Sequence, residues 1–203
     1  MKKILIATHN KAKLEELLMG VKKLKDQKIK VLTLNDVGVE DDPEETGTTF
    51  EENAILKAKF YSEKTSLPTI ADDGGLTIPY LNNEPGVKSK RWMGRDATDQ
   101  ELINFALQQL VDQKGKNRIA FLQTCLCYYN LRTKQTLTQL EKVDGYIAEK
   151  ASHRPTDGYP YRAIFMVKKF NKYYDELTEE EHMKVNHRLK ALKRLVKRIT
   201  KIQ

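Results

Sequence analysis

Short apolar runs alternate along this chain with longer stretches whose apolar residues recur every three or four positions. Lys3 to Thr8 reads as a buried strand. From about Lys11 to Leu24, Leu14, Leu17, Leu18, Val21 and Leu24 keep helical spacing. Ile29 to Leu34 reads as a second strand, and strand-helix-strand order predicts a partly parallel sheet. Asn35 to Gly47 has no periodicity and is acidic (Asp36, Glu40, Asp41, Asp42, Glu44, Glu45), so a loop is expected. Thr48-x-x-Glu51 and Thr49-x-x-Glu52 both fit a capping box, opening a helix to about Lys64 with Phe50, Ala54, Ala58 and Tyr61 on one side. Pro68 to Asp73 is a third strand, and Leu76 to Leu81 continues the sheet. Asn82 to Gly94 is a loop. Thr98-x-x-Glu101 starts a helix that turns Leu102, Phe105, Ala106 and Leu110 inward. Arg118 to Leu131 and Gln135 to Ile147 form a hairpin across Arg132-Thr133-Lys134. Ala148 to Arg162 is a polar, aromatic loop, and Ala163 to Phe170 is the last strand. Thr178-x-x-Glu181 begins a short helical turn, and Met183 to about Thr200 is the final helix. There are no repeats or low-complexity linkers. The expectation is an α/β fold in one domain, residues 1–203, with the hairpin and its loop (roughly 118–162) as a second lobe.

Composition narrows the class. At 203 residues with 39% hydrophobic and 32% charged content, the chain suits a soluble globular protein, not a disordered one. No apolar run approaches the ~20 residues of a membrane span. The stretch before the first helix is too short for a signal peptide, so a cytoplasmic protein is expected. Cys125 and Cys127, two apart in an apolar run, read as buried thiols in a reducing compartment. The net charge of +8 gathers partly in Lys184, Arg188, Lys190, Lys193, Arg194, Lys197, Arg198 and Lys201, with no acid between them. That suits an anionic partner, or a solvated basic helix face. Leu189, Leu192, Leu195, Val196 and Ile199 favour the second, so a nucleic-acid interface is disfavoured.

Chemistry concentrates in a few places. Thr69-Ile70-Ala71-Asp72-Asp73-Gly74-Gly75-Leu76 reads as a buried strand ending at a polar tip. Neighbouring strand side chains point to opposite faces, so Asp72 and Asp73 share a ligand only where the strand bends. The glycines would permit that bend or the approach of a second backbone. A plain strand-to-turn junction fits the same octapeptide. Thr8-His9-Asn10-Lys11-Ala12-Lys13 joins a strand to a helix N-terminus, where backbone amides favour anions, although it lacks the Walker A pattern. Asn53 and Lys57 share a helix face at i and i+4. Lys57 could pair there with Asn53 and Glu52, or reach a phosphate. Glu44/Glu45 and Asp72/Asp73 offer the oxygen donors that Mg²⁺ takes, and one carboxylate could activate water. His153-Arg154 and His187-Arg188 are two His-Arg pairs, the second at the start of the basic helix.

Taken in order, five blocks resemble the inosine triphosphate pyrophosphatase family, the dITP/XTP diphosphatases that remove aberrant purine nucleotides. They are Thr8-x-Asn10-x-x-Lys13; Glu45-Thr46-Gly47-x-Thr49-Phe50-x-Glu52-Asn53-Ala54-x-x-Lys57-Ala58; Ala71-Asp72-Asp73-x-Gly75-Leu76; Pro85-Gly86-Val87-x-Ser89-x-Arg91; and Asp96-Ala97-Thr98-Asp99. Leu177-Thr178 and His187-Arg188 extend the likeness over nearly the whole chain. The resemblance implies an elongated two-lobed α/β fold around a central mixed sheet flanked by helices, with a nucleotide cleft between the lobes, and a homodimer. It implies Mg²⁺-dependent hydrolysis of a nucleoside triphosphate to monophosphate and pyrophosphate. Carried over by residue, Thr8, Asn10, Lys13 and Lys57 would bind the triphosphate. Glu45 and Asp73 would hold the metal. Asp73 would accept the proton of the attacking water, with Asp72 beside it. His187 and Arg188 would face the base.

The chain departs from the family around the base pocket. Tyr159-Pro160-Tyr161-Arg162 stands where the family has Phe-Gly-[Tyr/Trp]-Asp, so Arg162 reverses a charge while Tyr159 can still stack. His182 replaces a lysine and Asn186 a serine. Gly74 stands where serine is common, and His9 where glycine is common. Phosphate and metal positions are kept while base-reading positions change, which predicts an altered base preference. The competing expectations are a catalytically weak nucleotide-binding sensor and a nucleic-acid-binding module built on the basic helix.

Overall fold

A strand covered on both faces is apolar at every position, and β1 (Lys3–Ala7) is buried from Ile4 to Ala7. The computed structural model, which describes residues 2–21, 24, 28–156 and 158–201, places β1 between two parallel neighbours, β2 (Lys30–Thr33) and β3 (Thr69–Ile78). The helices α1 (Lys11–Gly20) and α3 (Phe50–Thr65) lie in the crossovers, with α2 (Leu34–Val37) between them in sequence. Register aligns Ala7 with Ala71. Thr8 and Asp72 therefore stand side by side just past the last parallel pair, where β1 ends while β3 continues, at the carboxyl end of β1 where open α/β sheets carry ligands.

Four further strands follow after β4 (Glu84–Pro85), which pairs antiparallel with β3. They are β5 (Ile119–Asn130), β6 (Gln135–Ile147), β7 (Phe165–Val167) and β8 (Lys172–Tyr173). The mixed sheet has the order β2-β1-β3-β5-β6-β7-β8. The remaining helices are α4 (Asp99–Gln109), α5 (Glu179–Val185) and α6 (His187–Ile199). Reciprocal capping boxes open three of the helices that the sequence marks for them, Thr49/Glu52, Thr98/Glu101 and Thr178/Glu181.

The chain divides into two compact units. The first comprises Met1–Asp73, Thr124–Glu141 and His187–Gln203. Its core joins Ile4, Ile6 and Ile70 to Leu17 of α1 and to Leu192, Leu195 and Ile199 of α6. The second comprises Gly74–Gln123 and Lys142–Asn186, around Leu76, Ile78, Leu102, Ile147 and Phe165. In that unit the Arg118 side chain is buried and donates to the carbonyls of Leu110, Gln113, Ile147 and Ala148.

Several expectations need correction. The strand through Asp72 and Asp73 does not stop there but runs ten residues to Ile78. The glycines serve a close approach instead: the Ser89 Oγ accepts from Leu76 N at 3.0 Å, and a Cβ on Gly75 would stand 2.0 Å from it. The acidic stretch opens with α2, because Thr33 and Asp36 make a capping box, and Leu34 belongs to that helix rather than to β2. The strand placed over Ala163–Phe170 is only three residues, and β8 follows it. The final helix is two, interrupted at Asn186, whose ψ of 101° is not helical. Met183 therefore lies in α5. The first helix ends at Gly20; Leu24 is helical again, and residues 22 and 23 of the expected span lie outside the described residues. Among the described residues, no helix is long and apolar enough to cross a membrane.

Candidate active site

The end of β1 turns into α1 through Thr8, His9 and Asn10. Asn10 is the helix N-cap, its Oδ1 accepting from Lys13 N at 3.0 Å, while Thr8 Oγ1 accepts from Asn10 N at 3.3 Å. This local network fixes the first turn of α1 and aims Lys13 at Asp72 within β3. There Lys13 Nζ lies 3.3 Å from Asp72 Oδ2, and Arg188 Nε of α6 donates to the same oxygen at 3.1 Å. A second Arg188 nitrogen bonds Glu16 of α1. Arg188, Asp72 and Glu16 are all buried. Burial alone would raise the Asp72 carboxyl, but Lys13 and Arg188 outweigh it and hold the group at about 2.

Asp73 points the other way, as strand alternation requires without any bend. Its Oδ2 accepts from Asn53 Nδ2 at 3.1 Å, and its Oδ1 lies 3.7 Å from Lys57 Nζ. Both partners sit on α3, one turn apart. Lys57 also meets Glu45 Oε1 at 2.5 Å. Lys57 thus pairs with Glu45 and Asp73, and not with Glu52 and Asn53, the first of the two alternatives that helical spacing left open; Glu52 is committed to the cap. Burial pushes the Asp73 carboxyl above its ordinary range, only partly opposed by Lys57 and Lys13. Burial works against the Lys57 charge, yet Asp73 and Glu45 raise its pKa. Adjacent carboxylates are therefore driven apart, Asp72 firmly ionised and Asp73 more basic, the arrangement that separates a fixed charge from a proton acceptor.

The donor chemistry suits a hard divalent cation. Glu45 and Asp73 place two carboxylates against the single positive charge of Lys57, leaving negative charge in excess. Asp72 Oδ1 is buried with no hydrogen-bond partner among the described residues, an acceptor that a bound ligand or its water would satisfy. Protein atoms alone make no complete cage: no group of three or more His, Cys, Asp and Glu assembles as one among the described residues. Mg²⁺ needs only one or two carboxylates when phosphate oxygens and water complete its shell.

Thus Thr8, Asn10, Lys13, Glu45, Lys57, Asp72 and Asp73 gather in the first unit, with Arg188. His187 is buried at the start of α6, and the exposed His9 has its Nε2 4.0 Å from Asp42. Arg188 is not part of a solvated basic face; it is sunk against two carboxylates. Gly74, Tyr159, Tyr161, Arg162 and His182 belong to the second unit. There the Arg162 guanidinium lies 3.5 Å over the Tyr159 ring and 4.9 Å from that of Tyr174, which also meets His182 edge-on at 5.3 Å. His182 Nε2 is 3.3 Å from Asn186 Nδ2, and the Tyr161 hydroxyl donates to Ser89 O at 2.6 Å. Sequence reasoning missed Glu16. The available signal was an acid three residues after Lys13, on the same face of α1.

Fold and site define an α/β protein with a carboxylate–lysine centre where the parallel pairing of two strands ends beside a helix N-terminus. The chain belongs to the Ham1 family, whose model matches residues 4–198. It is 38% identical over 199 residues to a dITP/XTP pyrophosphatase of Thermoanaerobacter pseudethanolicus, covering 98% of this chain and 97% of that one. With the dITP/XTP pyrophosphatase of Bacillus subtilis it shares 39% identity over 197 residues, 97% of this chain and 96% of the relative. A solved HAM1 protein from Coxiella burnetii superposes with a TM-score of 0.85 at 35% identity, covering 99% of this chain and all of that one.

Proposed function

We infer that this protein is a nucleoside triphosphate pyrophosphatase that clears aberrant purine nucleotides, splitting them to monophosphate and pyrophosphate. The observation that carries the reading is the pairing of Lys57 with both Glu45 and Asp73, in a chain whose full-length relatives are dITP/XTP pyrophosphatases.

In this reading Thr8, Asn10 and the α1 N-terminus bind the triphosphate, and Lys13 and Lys57 neutralise its charge. His9 and Gly74 border the same ligand. Asp73 takes the proton of a water as its oxygen attacks the α-phosphorus; the bond from that phosphorus to the bridging oxygen breaks, and pyrophosphate leaves. The upward push on the Asp73 carboxyl makes it the better base of the pair. Asp72, held by Lys13 and Arg188, is the fixed charge that orients Lys13. Glu45 and Asp73 would hold Mg²⁺, which when bound neutralises phosphate oxygens. Tyr159, Tyr161, Arg162, His182 and His187 read the base, and Arg188 contributes by fixing Asp72. The stacked Arg162, where relatives of this family carry an acid, supports a base ranking shifted from a plain ITP/XTP preference. The enzyme acts in the cytoplasm as a homodimer.

The test incubates protein and Mg²⁺ with ATP, GTP, CTP, UTP, ITP, XTP and their deoxy forms, separating products by chromatography. Monophosphate plus pyrophosphate should form, and Asp73→Asn should lower the rate by roughly 10²–10⁴-fold. No turnover of any nucleotide sinks the enzyme reading in favour of a binding protein. A clear lead of ITP or XTP over ATP and GTP sinks the shifted base ranking alone.

A further inference from the structure

Glu45 sits on irregular chain: residues 39–46 form neither helix nor strand. A ligand side chain on such a segment is only as well placed as its neighbours. Acids crowd this segment at positions 40, 41, 42, 44 and 45, and like charges drive a chain to extend and wander. Here it does not run free. Gly47 N donates to Asn53 Oδ1 at 2.8 Å. Glu45 meets Lys57 at 2.5 Å. The Tyr61 hydroxyl donates to Asp42 Oδ1, and Lys64 Nζ pairs with Asp41 Oδ2. Residues 53, 57, 61 and 64 stand at i, i+4, i+8 and i+11, one above another on a single stripe of α3. Residues 47, 45, 42 and 41 pass them in the opposite direction. Eleven helical residues rise about 16 Å and six extended residues span at most about 20 Å, so the segment is long enough to run the length of the stripe. The approach is close at Gly47, where a Cβ would stand 2.5 Å from Asn53 Oδ1.

We propose that Tyr61 and Lys64 are positioning residues for the metal site: by tying Asp42 and Asp41 to α3, they hold the acidic segment in the register that presents Glu45. This rests on the reading of Glu45 as a metal ligand. Tyr61 is buried, whereas the Lys64 side chain is 36% exposed, so the tyrosine is the firmer anchor. Burial, with Asp42 beside it, keeps the phenol protonated and therefore a donor.

Binding of Mn²⁺ to the nucleotide-free protein, followed by the loss of the free-ion EPR signal, tests this directly. The variants are Tyr61→Phe, Lys64→Met and both together, with Glu45→Gln as reference and the exposed Tyr80→Phe as control. The double variant should bind Mn²⁺ about tenfold more weakly, within the ~10–100-fold typical of residues that orient metal ligands. Tyr61→Phe should cause most of that loss, and excess metal should restore kcat. Lys64→Met alters only surface contacts, the pair with Asp41 and the approach of Nζ to the Phe60 ring at 5.0 Å, so it still reports if removing the tyrosine hydroxyl perturbs folding. Parent-like affinity in the single and double variants, with Glu45→Gln defective, overturns the positioning role alone. Parent-like affinity in Glu45→Gln overturns the ligand assignment and this proposal with it.

Discussion

Asp72 is a buried carboxylate, at 2% exposure, and it stays charged because Lys13 and Arg188 share its Oδ2. A buried ion pair is weak support for stability when both partners can be exchanged together, but removing one partner strands the other. Arg188→Met should therefore cost about 3–5 kcal/mol, read as a lowered urea midpoint at neutral pH. The same interaction sets an acid limb. The folded-state value of about 2 lies below the ordinary ~3.9 of an unfolded Asp, so the stabilisation is complete above the ordinary value and disappears as pH falls through about 2. Unfolding followed from pH 5 to pH 2 should show that loss in the parent and much less of it in Arg188→Met. Asp72, Asp73, Lys13 and Lys57 stood out through the resemblance of their blocks to a family pattern, since adjacent acids after an apolar strand and lysines on helices also fit a plain strand-to-turn junction and a surface pair. The Arg188–Glu16 contact was not, since 172 residues separate its members and neither has an unusual neighbour.

At the level of elements, capping boxes were the most readable feature, because the motif is local and its two hydrogen bonds are made by residues three apart. Strand ends were the least readable. Asp-Asp-Gly-Gly looks like a terminus, yet β3 continues through it, since the fate of that backbone is decided by residues 86–89. The glycine's absent side chain leaves the space that Ser89 fills, with Ser89 Oγ accepting from Leu76 N and donating to Gly86 O at 2.7 Å. Gly75→Ala should destabilise the protein by about 1–3 kcal/mol through overpacking, measured by thermal unfolding. Adding Ser89→Gly should recover part of the loss by relieving the overlap, whereas a purely conformational effect at Gly75 would leave the double variant no better than the single.

At the scale of the whole molecule, α6 has two duties in the first unit. Leu189, Leu192, Leu195, Val196 and Ile199 are buried in it, and at ~1.5–3 kcal/mol for each side chain they contribute about 8–15 kcal/mol, comparable to the entire stability of an ordinary domain. The apolar stripe announced that packing, and the solvated basic face opposite it follows for Lys190, Lys193 and Lys197, which are exposed. What the stripe concealed was Arg188, the one cation at the start of the helix that turns inward. A chain stopped after Asn186 should be insoluble or unfolded by circular dichroism and should hydrolyse no nucleotide, however much Mg²⁺ is supplied.

The span from Asp72 to Arg188 also sets an order of events during synthesis. A ribosome that has released β1, α1, α3 and β3 has already made Lys13, Glu45, Lys57 and both aspartates, yet the guanidinium that steadies Asp72 lies 116 residues further on. Until it emerges, a charge destined for burial has only Lys13 to offset it, and the parallel strands lack the helix that covers them. The nascent chain therefore carries most of its chemistry long before it can use any of it, and the arrival of α6 converts a collection of charged side chains into an ordered centre.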